Sequence, residues 1–199
     1  MCYDADGNVL LVSFLGTRGG VIENKVVYYN FAEGAEQQNY QVATLQYADA
    51  IIPTAAFLDK TLSVLVADNA LVLVEGLTEP KEVASIPIEK EIKRVVYNEE
   101  YIVLVLKNSG QTDYELRSYR TDGELVLSTP FEGEYSNIEI TDNQIMMYEG
   151  NRCAIYNQAG VCKFKGELEM NIVSILPVRG FNKYFVISTS GFQEIRLVK

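Results

Sequence analysis

The sequence predicts an all-β chain, and three observations carry that prediction. Short β-branched and aromatic runs are bounded by Asn, Asp and Gly, turns recur about every forty residues, and each repeat holds one almost wholly apolar strand. Tight turns at Asp6-Gly7, Asp59-Lys60, Glu99-Glu100, Asp142-Asn143 and Phe181-Asn182 each lead directly into an apolar run. After a first interval lengthened by an insertion, their spacing is that of one four-stranded propeller blade. The expected fold is therefore a β-propeller-like array of four-stranded antiparallel blades.

The first unit, residues 1–48, reads as a partial blade that begins at a second (b) strand, Val9 to Leu15. The second, residues 49–90, gives four strands in order, a to d: Ile51 to Leu58, Thr61 to Ala67, Ala70 to Val74 and Glu82 to Ile88. Residues 91–133 repeat the pattern with Ile92 to Tyr97, Tyr101 to Leu106, Tyr114 to Tyr119 and Glu124 to Ser128. Residues 134–171 do so with Ile138 to Thr141, Gln144 to Tyr148, Cys153 to Tyr156 and Val161 to Lys165. The last stretch, residues 172–199, stops after a c strand, Glu194 to Val198.

Each b strand is almost wholly apolar, as in Val64-Leu65-Val66, Ile102-Val103-Leu104-Val105 and Ile145-Met146-Met147, so each needs cover on both faces. Sheets packed face to face provide it. The c to d turns echo one another in Tyr119-Arg120-Thr121-Asp122-Gly123 and Tyr156-Asn157-Gln158-Ala159-Gly160, with Gly at the position that demands a positive φ. The whole chain reads as one domain of about four and a half blades. An apolar first strand left unpaired invites aggregation, so the expectation is a fragment of a larger propeller, or a homo-oligomer in which another copy covers the edges.

Composition narrows the chemistry. With 27 acidic and 17 basic residues the net charge is -10, which repels phosphate backbones and argues against a nucleic-acid partner. Histidine is absent, removing the usual general base and the commonest metal ligand. No cofactor is expected. No apolar run approaches the roughly 20 residues of a membrane-spanning helix, and the N-terminus lacks the basic start and apolar run of a signal peptide. Cys2, Cys153 and Cys162 have no metal-site spacing. Pairing Tyr156 with Val161 would set Cys162 opposite Ile155 and diagonal to Cys153, which makes a disulfide conceivable, but two small buried thiols are the preferred reading.

Three segments resemble a bacterial family, domain of unknown function 5711: Asp6-Gly7-Asn8-Val9-Leu10-Leu11-Val12-Ser13-Phe14, Val26-Val27-Tyr28-Tyr29-Asn30-Phe31 and Ile52-Pro53-Thr54-Ala55-Ala56-Phe57-Leu58. The ending Gln193-Glu194-Ile195-Arg196-Leu197 adds to the resemblance. It implies the C-terminal part of an extracytoplasmic propeller, carried on a single N-terminal membrane anchor that precedes Met1. It brings no catalytic residue with it.

The candidate site residues are the acids of the d to a connections: Asp49, Glu89, Glu91, Glu132, Glu134 and Glu169. On one propeller face they would form a partial ring able to attract a cationic peptide, an amine or Ca²⁺, although exposed loops of an acidic chain carry acids in any case. Gly19-Gly20 reads as a hairpin turn, since no helix follows to make a phosphate site. Tyr28 and Tyr29 point to opposite faces of a strand, and Pro53 suits a strand start. Without histidine, paired carboxylates are the surviving enzymatic option, with Asp49, Glu91 and Glu134 as candidates. The expected function is a non-enzymatic module binding a protein, peptide or glycan at the cell surface. The alternatives are a glycoside hydrolase and a structural part of an envelope assembly.

Overall fold

The computed structural model describes residues 1–4, 6–32, 40–107, 113–141, 143–180 and 182–197. Asp142, Phe181 and Val198, which belong to two of the expected turns and the last expected strand, lie outside the described residues. All regular structure among the described residues is β, arranged in five antiparallel sheets of consecutive strands.

The first sheet contains β1 (Cys2–Tyr3), β2 (Val9–Arg18), β3 (Val21–Asn30) and β4 (Gln41–Ala48). The second contains β5 (Thr54–Phe57), β6 (Leu62–Val66), β7 (Ala70–Glu75) and β8 (Lys81–Pro87). In the third are β9 (Glu91–Tyr97), β10 (Tyr101–Lys107), β11 (Asp113–Arg120) and β12 (Leu125–Glu132). The fourth holds β13 (Asn137–Thr141), β14 (Gln144–Glu149), β15 (Arg152–Asn157) and β16 (Cys162–Glu167). Three strands make the fifth: β17 (Ile172–Pro177), β18 (Lys183–Ser188) and β19 (Gly191–Arg196).

Two expectations are corrected here. The first sheet does not begin at its b strand, because Cys2 and Tyr3 pair with Leu11 and Leu10; two residues are too few to show a period. The register around the cysteines also differs. Tyr156 pairs with Cys162 and Ile155 with Phe164, leaving Lys163 as an extra residue. Cys153 sits opposite Gly166, and all three cysteines are free thiols.

The same irregularity recurs. Each c to d pairing of the four-stranded sheets shifts register once, at Tyr28/Tyr29, Leu73/Val74, Ser118/Tyr119 and Ile155/Tyr156. A bulge sharpens the local twist of a pair, so four bulges at one place repeat one local geometry. The two c to d turns paired in the sequence also match. Gly123 and Gly160 take φ of 91° and 79°, and their N–H groups donate to the carbonyls of Arg120 and Asn157. Gly19 and Gly20, both at positive φ, close the two-residue β2–β3 hairpin.

The chain forms two compact units, residues 1–92 with 99–101 and 120–124, and residues 93–98, 102–119 and 125–199. In the first unit, Val9, Leu11, Tyr28, Leu65 and Val72 build the core. Every residue of β6 is buried, including Ser63, which meets the Tyr28 hydroxyl at 2.7 Å and donates to the Val74 carbonyl. In the second unit, β10, β11 and β12 pack on β13 to β15 through Val103, Leu116, Leu127, Ile145 and Met147. The other face of β14 and β15 packs on the fifth sheet through Met146, Ile155, Ile175 and Val186. Polar ties cross these layers: Ser118 donates to Gln158 at 2.9 Å and Tyr184 to Gln144 at 2.7 Å. Each wholly buried Leu or Ile contributes about 1.5–3 kcal/mol relative to exposure, which explains why the buried interiors of β6, β10 and β14 carry no charge and Lys107 and Glu149 stand only at strand ends.

Candidate functional site

The six acids predicted from the sequence all lie in or beside sheet-to-sheet connections, and all are exposed. In the first unit Asp49 turns the chain after β4 with a φ of 55°, its N–H bonded to the Ile22 carbonyl at 2.8 Å. Glu89 follows Ile88, whose N–H bonds Asn69 at 2.8 Å, and Glu91 opens β9. In the second unit Glu132 ends β12, Glu134 lies between β12 and β13, and Glu169 lies between β16 and β17. No group of three or more His, Cys, Asp or Glu among the described residues is placed to hold a metal ion.

The β12–β13 connection differs from the rest. Gly133, at φ 86°, approaches the Arg152 guanidinium so closely that a Cβ there would lie 3.2 Å from Nη1. Arg152 Nη2 donates to the Glu134 carbonyl at 3.2 Å, and the Ser136 N–H donates to Glu149 Oε2 at 2.6 Å. The connection is thus propped by side chains from the end of β14 and the start of β15.

Beneath it lies a pocket of about 360 Å³. Its floor is apolar and aromatic, made by Val105, Tyr114, Phe131, Tyr135 and Ile138, all buried. Tyr114 stacks on Phe131 with centroids 5.5 Å apart, and Phe131 meets Tyr135 at 6.0 Å. The rim carries Lys93, Arg94, Lys107, Glu134 and Glu149. Lys107 Nζ stands 5.0 Å over the Tyr114 ring and donates to its hydroxyl at 3.4 Å, while that hydroxyl donates to Glu134 Oε1. Arg152 lies 5.8 Å over Tyr135.

Electrostatics follow from these contacts. The Ser136 hydrogen bonds, and then Arg152 and Arg94, hold the Glu149 carboxyl below the usual carboxylate range. Burial pushes the Tyr135 phenol up, with Arg152 pulling the other way. A second cleft, lined by Glu132, Arg152, Lys165 and Glu167, shares Gly133 and Tyr135 with the pocket. Across both, five cations face four carboxylates, the reverse of the balance in the chain as a whole.

With this geometry in hand, relatives can be considered. A family of unknown function, DUF5711, matches residues 3–197. The chain belongs to the DUF5711 family. No curated protein matches its sequence. Among solved structures, this DUF5711 chain is similar to BBS1N, determined in complex with ARL6DN, at 11% identity and a TM-score of 0.54 over 96% of this chain and 64% of that one. It is similar to KlAtg21, determined with the coiled-coil of AgAtg16, at 14% identity and 0.51 over 96% and 67%. For HIRA(644-1017) the figures are 12% identity and 0.50 over 77% and 50%. The likeness is one of fold, which is all-β and β-propeller-like. The DUF5711 chain spans between half and about two thirds of the length of these three proteins.

Sequence reasoning singled out Glu132 and Glu134 but missed the cations beside them. Lys93 and Arg94 come from about forty residues earlier and Arg152 from eighteen residues after Glu134. Adjacent Lys93 and Arg94 within a β strand carry no local signal of a site, since the acids they share the pocket with are distant in sequence.

Proposed function

We propose that this DUF5711 protein is a non-enzymatic recognition module that binds a peptide, protein or glycan in the pocket beneath the β12–β13 connection, outside the cytoplasm. The observation that carries this reading is the combination of a buried aromatic floor with a rim of both charge signs in one concave site. Specificity in such sites comes from a few polar groups fixed by their neighbours, and here Lys107, Glu134 and Glu149 are each held by a named partner. An extracytoplasmic place fits the family resemblance, and fractionation of the native host with an antibody against the chain tests it.

One observation favours a second reading, hydrolysis by paired acids: Glu134 and Glu149 line the same pocket. A retaining or inverting glycosidase needs one carboxyl protonated as general acid. The Ser136 hydrogen bonds favour the charged form of Glu149, which suits it to the nucleophile or base role beside Glu134. Screening the full-length protein against glycan and peptide arrays and against chromogenic glycosides separates the two. Binding without turnover supports a recognition module. Turnover abolished by Glu134→Gln would establish the hydrolase instead.

A further inference from the structure

Resting on that recognition site, we infer that its ligand is a peptide segment bearing a carboxylate, bound through Arg94 and Lys107 at the pocket rim. Arg94 is exposed on the rim, and the carboxylate it acts on there, Glu149, already accepts from Ser136. A guanidinium presents a planar fork of donors that a carboxylate fills in bidentate fashion. Lys107 is aimed in advance, because the Tyr114 hydroxyl gives its proton to Glu134 and turns a lone pair toward the ammonium. A cation positioned before binding loses less side-chain freedom on meeting an anion.

The aromatic floor argues against a sugar as the ligand. Sugar rings stack on open aromatic faces, but here Tyr114 has Lys107 over its ring, Tyr135 has Arg152 over its ring, and Phe131 is flanked by both tyrosines. All three rings are less than a tenth exposed. What the pocket presents is charge at the rim over a floor whose rings and aliphatic side chains are alike buried. Continuation past Gly133 and Tyr135 into the second cleft, lined by Arg152, Lys165, Glu132 and Glu167, suits an extended chain longer than one residue. The local excess of cations in a chain of charge -10 makes an anionic anchor the better match.

The test uses the full chain and four labelled probes in fluorescence polarisation: an acetylated, amidated hexapeptide with one Phe beside one Asp; the same peptide with Lys for Asp; the Lys peptide with a free C-terminal carboxylate; and an oligogalacturonate. The inference predicts that the Asp peptide or the free-carboxylate peptide binds, that the Lys-containing amide binds at least tenfold more weakly, and that raised salt weakens binding. Which carboxylate peptide binds distinguishes a side-chain anchor from a chain-end anchor. Arg94→Ala should weaken binding at least tenfold and Arg94→Lys less, with circular dichroism unchanged because Arg94 is exposed. Equal binding of the Lys amide, or full affinity in Arg94→Ala, overturns the inference. Binding of the oligogalacturonate alone overturns it while leaving the recognition pocket standing, whereas no binding by any probe counts against both.

Discussion

The β12–β13 and β16–β17 connections occupy the same place in consecutive sheets of one unit, yet they are built in opposite ways. In the β16–β17 connection the backbone does the work: Leu168 N–H bonds the Asn151 carbonyl at 2.8 Å and Ile172 N–H bonds the Gly150 carbonyl at 2.7 Å. Asn151 Nδ2 adds a bond to the Leu168 carbonyl at 3.2 Å, and Glu169 simply projects to solvent. The bonds that hold β12–β13 are made by side chains of neighbouring strands: Arg152, Glu149 and Tyr114. Long side chains fasten this loop, and its residues Gly133 to Ser136 line the pocket. An acid in each connection is therefore a weak sign of function; how the connection is fastened is a stronger one.

The largest expected effect lies on the pocket floor. Phe131→Ala removes a ring that is 5% exposed and packed between two tyrosines. It should cost about 3–5 kcal/mol in urea unfolding and abolish peptide binding. A cost below about 1 kcal/mol would mean that the floor is not packed as described.

Next comes Gly133→Ala. The new side chain must adopt a positive φ and press on Arg152, so a loss of about 1–2 kcal/mol and weaker binding are expected. An unchanged affinity would separate the Arg152 prop from the site.

A smaller effect concerns pH. The folded-state pKa of Glu149 lies below its ordinary value, so the group stabilises the fold above the ordinary carboxylate range, and that contribution is lost as pH falls through the folded pKa. Glu149→Gln should be less stable than wild type at neutral pH, and the two stability curves should converge in acid. Curves that stay parallel from pH 7 to pH 3 would remove Glu149 from the prop.

Smallest of all, Glu169→Gln at the sealed connection should change neither unfolding midpoint nor peptide affinity, because its carboxylate is exposed.

How far the sequence reveals this architecture depends on whether a feature is local. Strands β6, β10 and β14 were legible because burial on both faces leaves an unbroken apolar run, and the matching turns ending in Gly123 and Gly160 were legible because positive φ selects glycine. β1 was not, since Cys2–Tyr3 is too short to show a period and becomes a strand by pairing with Leu11 and Leu10. Nor was the register at Cys162, where a bulge after the c to d turn adds a residue that hydrophobic alternation does not announce. The acids of the connections were visible as composition. Their cations were not, because Arg94 and Arg152 reach Glu149 and Glu134 only once the sheets have packed, and Lys107 reaches Tyr114 across a strand pair.

The most direct test of a site built on the side-chain-propped connection is an amide ¹H–¹⁵N titration of the full chain with the Phe-Asp hexapeptide. Saturable shifts confined to residues 93–94, 107, 114 and 132–136, with 168–172 unmoved, are the predicted result. Shifts centred on 168–172, or spread evenly over the connections, would contradict it.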